Sequence, residues 1–308
     1  MASRTSRRPP TVLVVGAASR DIDRADPRGW RLGGTVTYAS LAIARLGLPV
    51  RVVIGVDVEA AGAHELGLLL AGGAEIELAR LSSGPVFDNQ QTPAGRVQIA
   101  HSASATIPLR ELPHRWRRSD AVLLGPVAGE LGPAWARAFP AHALLALAWQ
   151  GLLRRLTPGA RVQPLPMRQG ALARRADLAL VSAEDVANGN GRFDALGPRA
   201  GQQLAVSHGA KPVLLLRRDG NSRRAELVPV RAAPGGGDTT GAGDVLLGVW
   251  MAIHAVARAG GIGLSPRQAL SIAVGAATAF VEAGSLAAMP DLRDLCRALL
   301  TPHVSRPI

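Results

Sequence analysis

Residues 234–244 read Pro-Gly-Gly-Gly-Asp-Thr-Thr-Gly-Ala-Gly-Asp, and a helical apolar pattern, Thr240–Ala259, begins within that run. Glycines let a backbone come close to a ligand and take positive φ. With Thr239 or Thr240 predicted to cap the helix, the amides of Gly241, Ala242 and Gly243 lack intrahelical partners and point outward. Such donors at the positive end of a helix dipole suit a phosphate. Asp244 falls in the same turn. A carboxylate there repels an anion unless it is needed, for example to take a proton from an attacking hydroxyl. A plain glycine-rich loop with a capped helix and a dipole-friendly Asp would show the same residues.

Two weaker signals lie near the start of the chain. Gly33-Gly34 opens a helical pattern that ends at Leu46-Gly47, and a double glycine there lets a ligand hydroxyl approach main-chain amides. Asp21 stands five residues beyond Gly16, at the carboxyl end of an apolar strand, the edge where ligands bind in open α/β sheets. Asp23 and Asp26 are rivals for that position.

The elements that must position these residues alternate. Strands are predicted at Thr11–Gly16, Val50–Gly55, Ala121–Leu124, Ala143–Leu147, Leu178–Val181 and Val213–Leu216. Helical patterns cover Gly34–Leu46, Ala60–Leu70, Thr240–Ala259, Pro266–Glu282 and Leu292–Leu300. This alternation predicts a mostly parallel sheet covered on both faces. The segment Glu75–Ala105 lacks helical period and reads as two or three antiparallel strands forming a lid. The expected organisation is a basic tail over 1–10, one domain over 11–302 with its lid at about 75–105, and a short tail over 303–308.

In that order, Gly16…Asp21, Gly33–Gly47 (GGTVTYASLAIARLG) and Asp238–Asp244 (DTTGAGD) resemble the motifs of the ribokinase-like (PfkB-type) carbohydrate and nucleoside kinases. The resemblance runs from about Thr11 to Leu300. It implies a three-layer αβα sandwich with a mostly parallel central sheet and a small β lid. It further implies transfer of the γ-phosphoryl of ATP, with Mg²⁺, to a hydroxyl of a small sugar, polyol or nucleoside. Asp244 would be the base, and Gly241, Ala242 and Gly243 the anion hole. Asp21, Gly33, Gly34 and Tyr38 would hold the acceptor, with Asn89, Arg96 and Gln98 facing it from the lid. Thr239, Thr240, Arg217, Gly220, Ala273 and Ala277 would contact the nucleotide.

Three positions depart from the family pattern. Tyr38 stands where Asn is common, which alters the acceptor pocket. Ser182-Ala183-Glu184-Asp185 stands for Asn-x-x-Glu, so Asp185 or Glu184 would organise the metal through water. Leu216-Arg217-Arg218-Asp219-Gly220 replaces a Thr-x-Gly segment; Arg217 or Arg218 could reach a phosphate there, but the pair reads more readily as a solvated basic turn. Phe87-Asp88-Asn89, Gly95-Arg96, Gly125–Glu130 and Ala148–Gly151 are similar to the branch containing myo-inositol kinases. There Trp149 would pack on a sugar face or plug a loop. A catalytically silent binder on the same fold is the alternative, and the intact Asp244 speaks against it.

Composition narrows the rest. Hydrophobic residues are 47% and charged residues 19% of 308, which excludes a disordered chain. Aromatics at 3% leave few stacking platforms for single strands. The net charge of +12 comes from arginines scattered in ones and twos, and no nucleic-acid partner is expected. No unbroken apolar run reaches the ~18 residues of a membrane span, so no membrane partner is expected either. The single Cys296 excludes a disulfide framework and suits a cytoplasmic location. Seven histidines without an i, i+4 pair offer no metal site, and no Gly-x-x-x-x-Gly-Lys-[Ser/Thr] loop occurs. The lid's strand edges would offer a route to a homodimer.

Overall fold

The computed structural model describes residues 8–92, 95–188, 198–231, 233 and 238–300. In chain order it begins with β1 (Val12–Ala17), a hairpin of β2 (Ser19–Ile22) and β3 (Trp30–Gly33), α1 (Thr35–Arg45), β4 (Val50–Val56) and α2 (His64–Ala71). Then come β5 (Glu75–Arg80), β6 (Val86–Thr92), β7 (Gly95–Ser102), β8 (Ala121–Leu124) and β9 (Leu144–Ala148). Three two-residue strands follow, β10 (Arg154–Arg155), β11 (Ala160–Arg161) and β12 (Gln163–Pro164). Next are α3 (Ala171–Arg175), β13 (Leu178–Ser182), α4 (Ala183–Asn188), β14 (Gln203–His208), β15 (Lys211–Asp219) and β16 (Ser222–Val228). The chain closes with α5 (Ala242–Gly260), α6 (Pro266–Ala283) and α7 (Arg293–Leu300).

Nine strands form the central sheet in the order β16-β15-β14-β13-β9-β8-β1-β4-β5. From β14 to β5 every pairing is parallel, and β15 and β16 are added antiparallel at one edge. Successive residues of β1 supply opposite faces. Val12 and Val14 join the cluster beneath α1, α5 and α6, while Leu13 and Val15 join the one holding Trp116 and Trp135. Burial on both sides is why these strands read as unbroken aliphatic runs.

Local signals set the helix ends. Ser265 accepts the Gln268 amide, Gln268 accepts the Ser265 amide in return, Pro266 fills the first turn, and Gly284 ends α6 in the left-handed region. α5 is long and apolar enough by composition to cross a membrane, but 67% of that stretch is buried inside the protein, between α1 and α6. It is a core helix.

A second sheet, ordered β11-β7-β6-β2-β3, covers the carboxyl edge of the first. Its boundaries differ from the predicted lid. Glu75–Arg80 pairs parallel with β4 as the edge strand of the central sheet, while Ser19–Gly33 and Ala160–Arg161 join the second sheet. The alternating Glu-Ile-Glu-Leu pattern fits any half-buried edge, and period alone does not say which sheet receives it. Residues 1–7 of the predicted tail 1–10, the predicted tail 303–308 and the run 234–237 lie outside the described residues.

Candidate active site

A cavity of about 510 Å³ runs along the carboxyl ends of β9, β13 and β14, between the second sheet and α6. The amino end of α5 enters it. Gly241, the residue before the helix, has φ 84, and no side chain caps the helix there. The expected cap by Thr239 or Thr240 is therefore not made. The Thr240 amide donates to Asp238 Oδ1 at 2.9 Å, and Asp238 Oδ2 accepts from Arg31 of β3. Gly241 is required twice over: its φ suits glycine, and a Cβ would land in the Tyr38 ring.

The uncapped turn leaves donors open, with one correction to the expected set. The Ala242 amide donates to Thr239 O at 3.1 Å and so closes the turn. Among the described residues no backbone acceptor takes the amides of Gly241, Gly243 or Asp244. All three residues line the cavity.

Asp244 faces the same space. Its Oδ1 accepts from Thr35 Oγ1 at 2.6 Å. Burial pushes its carboxyl up to about 6, against the Thr35 hydrogen bond and the nearby Arg154 guanidinium, which favour the charged form. A carboxylate poised there is ionised near neutral pH and still basic enough to receive a proton.

Asp21, on β2, is 6% exposed and lines the cavity, with Ser19 Oγ donating to its Oδ1 at 3.1 Å. Asp23 and Asp26 are not on the lining; Asp26 pairs with Arg28, which holds its carboxyl well below the usual range. Gly33 does not line the cavity. A Cβ there would overlap the Asp21 carboxylate, so its role is to make room for that side chain. Gly34 does line it, as do Asn89 of β6 and Gln98 of β7, joined by Gln98 Nε2 donating to Asn89 Oδ1 at 2.8 Å. Tyr38 lines it at 4% exposure, edge-on to Phe280 at 5.8 Å. Burial, aided by the Asp21 charge, raises its phenol and keeps it neutral.

Across from Asp244 sits a group that sequence reasoning did not assemble. Asp185 Oδ2 accepts from Ser182 Oγ at 2.6 Å and Gln150 Nε2 at 2.9 Å, and its Oδ1 is 3.8 Å from Arg154. Ser182 in turn accepts the Asp185 amide at 3.0 Å, so Ser at that position takes over local capping of α4. Thr35 and Gln150 lie within the segments quoted above but were given no role there, because the partners that reveal one, Asp244 and Asp185, are distant in the chain; Arg154 belongs to no motif. Arg154 sits on a two-residue strand whose place is set by tertiary pairing.

Four predicted contacts are not brought to the cavity. Trp149 is 2% exposed within the apolar cluster opposite α5, so it plugs the loop. Arg217 of β15 is tied to Asp219 and to Glu226 of β16, and Gly220 turns the β15–β16 hairpin. Ala273 is fully buried on the inner side of α6, whereas Ala277, one turn later, lines the cavity with Val274 and Val281. The side chain of Arg96 lies outside the described residues. Thr239, Thr240, Glu184 and Asp185 are on the lining.

No protein-family model and no curated protein matches the chain. Solved structures do. A pyrophosphate-dependent kinase in the ribokinase family, complexed with a pyrophosphate analog and myo-inositol, aligns with TM-score 0.69 at 17% identity, covering 93% of this chain and 99% of that one. Ribokinase of Arabidopsis thaliana, complexed with ribose and ATP, gives 0.62 at 18% identity over 96% and 100%. The nucleoside kinase of Methanocaldococcus jannaschii gives 0.63 at 14% identity over 94% and 98%. The chain has the ribokinase-family fold, a fold used by sugar and polyol kinases.

Proposed function

We propose that this protein is a kinase that moves the terminal phosphoryl group of ATP to a hydroxyl of a small sugar or polyol. The carrying observation is Asp244, a carboxylate raised to about 6, in the same helical turn as the open amides of Gly241 and Gly243, all facing one cavity. A non-catalytic anion site has no use for that carboxylate. The acceptor lies against Ser19, Asp21, Asn89 and Gln98, a wall rich in groups that bind hydroxyls. Tyr38 is held by Phe280 and Gly241, which leaves its ring unavailable to stack on a base and favours a polyol over a nucleoside.

In the reaction, Asp244 takes the acceptor hydroxyl's proton as its oxygen bonds to phosphorus and the bond to the departing phosphate breaks. The amides of Gly241, Gly243 and Asp244 stabilise the equatorial oxygens. Arg154, close enough to bear on Asp244 and Asp185, supplies positive charge to the migrating group. Asp185 has its oxygens engaged by Ser182, Gln150 and Arg154, so it suits a water-mediated role, and Glu184 would hold Mg²⁺. The metal would neutralise the donor's phosphates. Asn89 and Gln98, carried on the second sheet, would help exclude water from the closed site.

The apolar stretch of Val213, Val230, Val274, Ala277 and Val281 fits a purine and supports ATP. Pyrophosphate is the second reading, because a neighbour of the same fold is named as pyrophosphate-dependent. Donor consumption with each of the two, across polyols, pentoses, hexoses and nucleosides, separates these readings; Asp244→Asn is the blank. Turnover with no donor–acceptor pair above that blank would remove the proposal.

Two further outcomes are expected. Arg154→Gln should lower kcat about 10²-fold with a smaller change in acceptor KM, the loss typical of one transition-state contact. Equal kcat would strike Arg154 from the mechanism. Because Asp244 must be ionised, kcat/KM should fall about tenfold per pH unit below about 6 and level off above it. A limb near 4 would mean an unperturbed carboxylate does the work.

A further inference from the structure

A second chamber, of about 220 Å³, adjoins the cavity and shares Gln98, Gln150, Arg154, Glu184 and Asp185 with it. Its outer wall is the excursion from Leu153 to Leu165. There Arg154–Arg155 pairs with Gln163–Pro164, and Leu165 N donates to Leu153 O at 2.7 Å. The tip of the excursion is stitched to β7: Ala160–Arg161 pairs with Ile99–Ala100, and Val162 N donates to Gln98 O at 2.9 Å. Arg161 is thereby fixed beside Gln98, on the acceptor's side of the site.

The charges of this chamber are unevenly committed. Asp185 already accepts from Ser182 and Gln150 and faces Arg154. Among the described residues no carboxylate pairs with Arg161, an exposed side chain on the chamber wall. Glu184, the remaining acid, is the one assigned above to the metal. The volume equals about seven waters at ~30 Å³ each, enough for a hydrated phosphate or carboxylate. Guanidinium groups recognise both anions by paired N–H donors.

We propose that the chamber is a subsite for an anionic group carried by the acceptor, so that the substrate class is a sugar or polyol already bearing a phosphate monoester or a carboxylate. This rests on the reading of Asp21, Asn89 and Gln98 as the acceptor wall. The reacting hydroxyl points to Asp244 while the anion reaches past Gln98 to Arg161.

Isothermal titration of the full chain, without donor, compares a neutral hexitol, its monophosphate and the corresponding sugar acid. The proposal expects at least one anionic compound to bind tenfold or more tighter than the hexitol, the better one identifying the group. Arg161→Gln should then cost that compound at least fivefold more affinity than it costs the hexitol, and Arg161→Lys should recover part. Hexitol binding as tightly as both anions, equal losses in Arg161→Gln, or no binding by any of the three would overturn it. Anion preference lost in Arg161→Gln but without turnover on either donor keeps the subsite and refutes the kinase. Turnover of neutral polyols with no anion preference refutes the subsite alone.

Discussion

Asp244→Asn should cut turnover by about 10²–10⁴-fold, the range for loss of a general base, while leaving donor binding in place. Asn keeps an oxygen for the Thr35 hydroxyl that now donates to Oδ1 at 2.6 Å, so the first turn of α5 stays put. The same variant should be more stable than the parent, and the pH dependence gives the reason. Burial raises the Asp244 carboxyl from 3.8 to about 6, so between those values the folded chain holds a proton that the unfolded chain has released. Stability falls as pH rises through that window, and above it the ionised acid carries the full penalty, about 1–3 kcal/mol. Denaturation at pH 8 should show Asp244→Asn gaining about that amount, and at about pH 4 little or nothing. A variant with normal turnover, or one equally stabilised at both pH values, would contradict this account of Asp244.

Gly241→Ala should be the other severe change. A non-glycine residue at φ 84 costs about 1–2 kcal/mol. The new methyl would also meet the Tyr38 ring, which packs edge-on with Phe280. The start of α5 must then back away, carrying the open amides and Asp244 with it. We expect a stability loss of about 2–4 kcal/mol. Turnover should fall at least ~10²-fold, since a shift near 1 Å suffices for that. Tyr38→Ala added to Gly241→Ala should recover much of the packing penalty but not the φ penalty, giving a non-additive cycle. Denaturation curves and turnover of the single and double variants check this; a single variant at parental stability would show that the close approach is not required.

How much of this was legible in the sequence follows from how local each signal is. The amino end of α5 could be read because its glycines and Asp244 are neighbours in the chain, although the cap could not: Gly241 takes the left-handed turn and leaves both threonines out. The aliphatic strands could be read because burial on both faces leaves no ambiguity of pattern. The β2–β3 hairpin could not. Its strands are four residues each, and its connection is anchored by Arg28 to Glu65, a residue of α2 far along the chain. Arg154 and Arg161 were invisible for the same reason, since β10 and β11 exist only by pairing with β12 and β7. Trp149 shows the opposite case: its position at the end of β9 leaves a sugar platform and a loop plug equally open, and packing decides for the plug, with the indole in the apolar cluster with Leu153 and Val181.

Phosphorus-31 NMR of the full chain with Mg²⁺, donor and acceptor follows the migrating group itself. The account predicts a growing phosphomonoester resonance on the acceptor, matched one for one by loss of the donor's terminal phosphorus, and absent with Asp244→Asn. Release of inorganic phosphate alone, or an unchanged spectrum with every acceptor and both donors, would contradict it.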